Sequence, residues 1–62
     1  MANFTLFVHD KRYSVPNFYM ISVADDRRAL ELAEEKLQTS AHYLLVEVFD
    51  GDRLVGAVDR DA

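Results

Sequence analysis

The side chains able to do chemistry in this chain are few, and the first of them are His9 and Asp10. An imidazole beside a carboxylate is the elementary acid–base pair. Adjacent residues of a strand, however, point to opposite faces of a sheet. The pair therefore reads as a hairpin cap with no catalytic role. His42, just before an apolar run, reads as a solvated loop residue. Two histidines without a third ligand at helical or hairpin spacing do not make a zinc site. The absence of cysteine removes thiolate ligands and disulfides. Asp50, Asp52, Asp59 and Asp61 suggest calcium, but Asp50-Gly51-Asp52 lacks the EF-hand spacing, which needs a bidentate Glu at position 12. A hairpin turn accounts for that stretch. No Ser stands in a pattern that supplies it with a base, and two glycines, Gly51 and Gly56, make no phosphate-cradling loop. These residues imply no metal, no cofactor and no enzyme.

Tyr13, Phe18, Tyr19 and Tyr43 could stack nucleic-acid bases, as sheet-surface aromatics do in RNA-binding modules. The charge balance disfavours that partner. The chain carries seven Lys and Arg against eleven Asp and Glu, for a formal net charge of −4. Phosphate backbones reward clustered cations, whereas Lys11-Arg12, Arg27-Arg28, Lys36, Arg53 and Arg60 are scattered, mostly beside acids.

The elements that must hold these residues follow from periodicity. Residues 3–9 alternate as a strand, with Phe4, Leu6 and Val8 on one side and Thr5, Phe7 and His9 on the other. Asp10-Lys11-Arg12 is a polar break. Residues 13–23 form a second extended run, kinked at Pro16-Asn17 and strongest at residues 18–23. Pro16 has no N–H for a ladder, so this strand belongs at a sheet edge or a bulge. Asp25 is an N-cap, and residues 26–39 are rich in helix formers. Ala29, Leu30, Ala33 and Leu37 make the apolar stripe, with Leu32 at its margin. Glu31, Glu34, Glu35 and Lys36 face solvent, and Arg27 pairs with Glu31 one turn on.

Residues 43–49 and 53–58 are two more strands. Asp50-Gly51 between apolar runs signals a type I′ hairpin, which needs positive φ at both central residues. That turn sets Val48 opposite Arg53 and Val46 opposite Val55. Leu44, Val46, Val48, Val55 and Ala57 then share one face. Leu45, Glu47, Phe49, Leu54 and Val58 share the other. Gly56 inside a strand implies a bulge or a close backbone approach. The tail from Asp59 to Ala62 reads as frayed.

The expected fold is α+β: one ββαββ domain over residues 1–62, a four-stranded, mainly antiparallel sheet with one helix packed on one face. The crossover makes the second and third strands parallel, so the order 2-1-3-4 is antiparallel throughout. The helix covers Phe4, Leu6, Val8, Leu44, Val46 and Val48. Nothing in the chain covers the other face, where Phe7, Leu45, Phe49, Leu54 and Val58 form a candidate interface. At 62 residues the core is marginal. With disulfides excluded and no metal site, oligomerisation is the expected staple. The start of the chain has no secretory pattern, and no apolar run approaches the ~20 residues of a membrane span. The expectation is a soluble, cytoplasmic homodimer or larger ring.

The stretch from Ala29 to Leu37, followed by Tyr43 to Val55 with its Val46-Glu47-Val48 hairpin strand, resembles short uncharacterised bacterial domain-of-unknown-function proteins. The resemblance covers the C-terminal half and implies a structural arrangement, not an activity. The strand and loop ending in Val15-Pro16-Asn17-Phe18, with the helix after it, is similar to the N-terminal domain of HicB-type antitoxins. That family continues with a Gly-Cys-type segment, and this chain lacks it. The leading expectation is a non-enzymatic, self-associating interaction module with no cofactor. The alternatives are a small apolar-ligand binder at a subunit interface, in a pocket lined by Phe7, Phe49 and Tyr43, and an antitoxin-like, nucleic-acid-linked regulator. An unknown protein partner for the free face belongs to the same expectation.

Overall fold

A computed structural model of the chain describes residues 1–60. It contains β1 (Ala2–Asp10), β2 (Asn17–Val23), α1 (Asp26–Gln38), β3 (Tyr43–Asp50) and β4 (Arg53–Asp59). The sheet order is β2-β1-β3-β4, and every neighbouring pair is antiparallel. This is the expected ββαββ arrangement, in the expected strand order.

The core forms where strand and helix periodicities meet. Phe4, Leu6 and Val8 of β1, Val46 and Val48 of β3, and Val23 of β2 are buried under Ala29, Ala33 and Leu37 of α1. The two alanines let the helix backbone approach the sheet closely. Asp25 caps the helix, its Oδ1 accepting from Arg28 N at 2.9 Å. Arg27 reaches Glu31 at 3.6 Å. Lys36 does not simply face solvent: its Nζ lies 4.1 Å from the Tyr19 ring centroid, a cation–π contact.

The end of the chain is tied down rather than frayed as far as it is described. Asp59 closes β4. Arg60 donates from its guanidinium to the carbonyls of Leu37, Ser40 and Tyr43. The first of these is among the carbonyls a helix end leaves unsatisfied. Asp61 and Ala62, part of the expected frayed tail, lie outside the described residues.

Two register breaks change the expected faces. Between β1 and β3, His9 pairs with Leu45 but Asp10 with Tyr43, which leaves Leu44 as an extra residue. A bulge of this kind re-aims side chains. Tyr43 consequently packs against the core, and Leu44, expected beneath the helix, is exposed. Between β3 and β4, Phe49 pairs with Leu54 but Val48 with Gly56, so Val55 is the extra residue. Beyond it the faces reverse. Val58 pairs with buried Val46 and packs against the core, not on the free face, while Ala57 pairs with Glu47 on the free face.

The break is placed by Gly56. A Cβ there would stand 3.1 Å from Leu30 Cδ2, so the helix closes onto the strand only over a bare backbone. The turn also differs from expectation. Asp50 pairs with Arg53, Gly51 and Asp52 are central, and only Gly51 has positive φ, at 62°. Glycine at the first central position is the type II′ pattern rather than I′.

Candidate functional site: the open sheet face and its edge

Strand register assigns the face opposite α1. Phe7 of β1 lies between Phe18 of β2 and Glu47 of β3, and Thr5 lies between Met20 and Phe49. Leu54 pairs with Phe49, and Leu45 with His9. The Phe7 and Phe49 rings stand edge to face, with centroids 5.5 Å apart at 89°. Phe18 tilts against Phe7 at 6.3 Å. Three aromatic rings thus run diagonally across β2, β1 and β3, continued by Leu54 on β4. Of the five expected interface residues, this face brings together Phe7, Leu45, Phe49 and Leu54; Val58 is excluded by the bulge.

Phe18 and Met20 join this face and were not anticipated on it. They are 65% and 72% exposed, more than Leu54 at 55%. The run Asn17-Phe18-Tyr19-Met20-Ile21-Ser22-Val23 is apolar on both sides, so alternation alone does not assign a face. The pairing of Phe4 with Ile21 and Leu6 with Tyr19 decides it.

A polar contact lies beside the aromatic row, where His9 Nε2 donates to Glu47 Oε1 at 2.6 Å. His9 and Asp10 do point apart. Asp10 is buried at the end of β1, where its carboxylate accepts from Arg12 N at 2.8 Å, Nε at 3.0 Å and Nη2 at 2.7 Å. The guanidinium hydrogen bonds hold Asp10 down to about 2, against the upward push of desolvation. The folded pKa lies below the ordinary carboxylate value of ~3.9. The stabilisation is therefore whole above that value and is lost as pH falls through about 2. The stability difference between the wild type and Asp10→Asn should be largest above about pH 4 and shrink steadily towards pH 2. Urea midpoints across that range measure it, and a difference that does not change with pH would refute the assignment.

The remaining candidates do not converge. His42 lies in the α1–β3 connection and is not a solvated loop residue. It is half-buried, and its Nδ1 has no hydrogen-bond partner. Among the described residues, no three histidine or acidic side chains gather around a common point. Asp50 is engaged by Arg53, which also reaches Asp26 at the start of α1. The aromatic residues considered for base stacking are divided between faces: Phe18 on the open side, Tyr19 and Tyr43 under Lys36 on the helix side. The same division separates Tyr43 from Phe7 and Phe49 within one chain. A groove of about 410 Å³ runs between α1 and β2, lined by Leu6, Tyr19, Ile21, Leu32 and Lys36 among others.

β2 is also an edge of the sheet. It holds no charged residue, no proline and no register break along Ala2–Val8. Those are devices by which natural edge strands avoid pairing with other chains. The opposite edge, β4, has its bulge at Val55 and is bounded by Arg53 and Asp59. No helix among the described residues is long and apolar enough to cross a membrane. No protein-family model, curated protein or solved structure matches the chain.

Proposed function

We infer that the chain is a small, non-enzymatic interaction module that self-associates through its sheet, burying the open face in a homodimer or larger ring. The observation that carries this reading is the continuous apolar row of Phe18, Phe7, Phe49 and Leu54 on a face that no element among the described residues covers. Burying such side chains is worth roughly 1.5–3 kcal/mol each. That is a large quantity beside the stability of so small a domain, so mass action couples folding to assembly. The non-enzymatic part rests on the dispersal of the acid, base and nucleophile candidates over separate places in the fold.

Sedimentation equilibrium at micromolar concentration tests the reading. The wild type should have at least twice the 7.1 kDa chain mass. Phe49→Asp and Leu54→Asp should run at a lower mass than the wild type while keeping the wild-type far-ultraviolet circular dichroism. Leu54 is the more exposed of the two, so its variant guards against simple misfolding. A wild type at single-chain mass would sink the proposal.

A further inference from the structure

We propose that β2 pairs antiparallel with β2 of a second copy, centred on Met20, to join two sheets into one of eight strands. This rests on the reading that the chain self-associates, and it names a contact distinct from the open face. The exposed large apolar residues concentrate here: Tyr13, Val15, Phe18, Tyr19 and Met20 all belong to β2 or the loop leading into it. Phe18, Tyr19 and Met20, within the paired stretch, expose on the order of 300 Å², given about 150–250 Å² for a whole aromatic side chain. Seven residues of paired main chain add to that area, as part of the ~800 Å² per partner of a stable dimer.

A second copy fits better than an unrelated chain because the strand is complementary to itself. Met20 is the middle of the seven residues of β2. Centring there sets Met20 against Met20, Tyr19 against Ile21 and Phe18 against Ser22, with all seven residues paired and no charge facing a like charge. The nearby charges are engaged within the chain, Arg12 by Asp10 and Asp26 by Arg53, so the pairing rests on the uncharged strand itself. The two-fold axis of such a pair is perpendicular to the sheet, so both open faces lie on the same side. The rows containing Phe18 then meet across the new junction.

Cysteine cross-linking in this cysteine-free chain separates the edge from the face. Tyr19 and Ile21 lie on the helix side, so packing of open faces does not bring them together. In the Met20-centred pair they are direct neighbours, within the ~4.4–6.8 Å Cα separation a disulfide accepts. Two copies of Tyr19, or of Ile21, would be offset by about 7 Å along the strands, about 8 Å apart in all. Mixed Tyr19→Cys and Ile21→Cys proteins, oxidised together, should give most of their disulfide as the mixed species by intact mass, and neither alone should cross-link. On the wild type, hydrogen exchange should show β2 amides slowing at least tenfold as concentration rises through the assembly range.

An assembled wild type with neither cross-link nor added β2 protection overturns the edge contact and leaves the self-association reading standing. Disulfides within either variant alone overturn the Met20-centred register. A wild type at single-chain mass throughout removes both readings together.

Discussion

Phe4→Ala should leave much of the protein unfolded at room temperature. Phe4 is 1% exposed and the largest fully buried side chain. It stands on β1, which is paired on both sides, with Ile21 as its neighbour on β2. Truncating a buried Phe costs about 3–5 kcal/mol, as lost transfer energy plus a cavity. A 62-residue domain at roughly 0.05–0.15 kcal/mol per residue has only about 3–9 kcal/mol to lose. β1 is held by ladders on both sides, so the cavity has little room to collapse. Phe18→Ala is the control: the same chemistry on the same sheet, but 65% exposed. Measured by urea denaturation at a concentration below assembly, it should cost well under 1 kcal/mol. A Phe4→Ala midpoint close to that of Phe18→Ala would mean that the β1 face assignment is wrong.

The same contrast explains how much of the fold is legible in the chain. Phe4, Leu6 and Val8 alternate cleanly with polar or open-face residues, and a period of two leaves one arrangement against a helix whose stripe is Ala29, Ala33 and Leu37. Asp25 announces the helix start because a carboxylate there has orphan N–H groups to accept from. Legibility fails wherever one extra residue enters a strand. Val58 and Leu44 miss their expected faces because a bulge precedes the first and Leu44 is itself the extra residue of the other. Gly56 gave the signal of a bulge, but which residue is extra depends on Leu30 lying above it, a contact between residues 26 positions apart. Tyr43 takes the place meant for Leu44 for the same kind of reason.

β2 failed to declare its faces because both are apolar, and that ambiguity is itself the physical clue. A strand buried on one face alone is normally polar on the other. One that is apolar on both, uncharged, and at an edge has surface left to cover. Phe7, Leu45, Phe49 and Leu54 could be placed from sequence. Phe18 and Met20, the most exposed of the open-face apolar residues, needed the β1–β2 pairing. The Arg60 bonds to the helix end had no sequence signal, because they join residues 17 to 23 positions apart through main-chain carbonyls.

Those bonds determine the second large effect. Leu37→Ala should destabilise the fold by about 2–5 kcal/mol, towards the upper end of that range. Leu37 is fully buried in the last turn of α1. Its carbonyl is held by Arg60, as are those of Ser40 and Tyr43 on the way into β3. A helix end so fixed cannot slide inward to fill the hole, and the cost of a cavity grows with the volume left open. Leu32 gives the comparison within the same helix. It is half-buried and lines the open groove beside β2, where water reaches it in the folded chain. Its truncation should cost less, about 1–2 kcal/mol, since part of its surface stays in contact with solvent in the folded chain. Urea denaturation of the two variants at one concentration gives the ratio directly. A marked inequality places the seat of the helix over β3 and β4, with its β2 side open. Equal losses would mean that the helix rolls towards β2 in solution and that the groove between them closes.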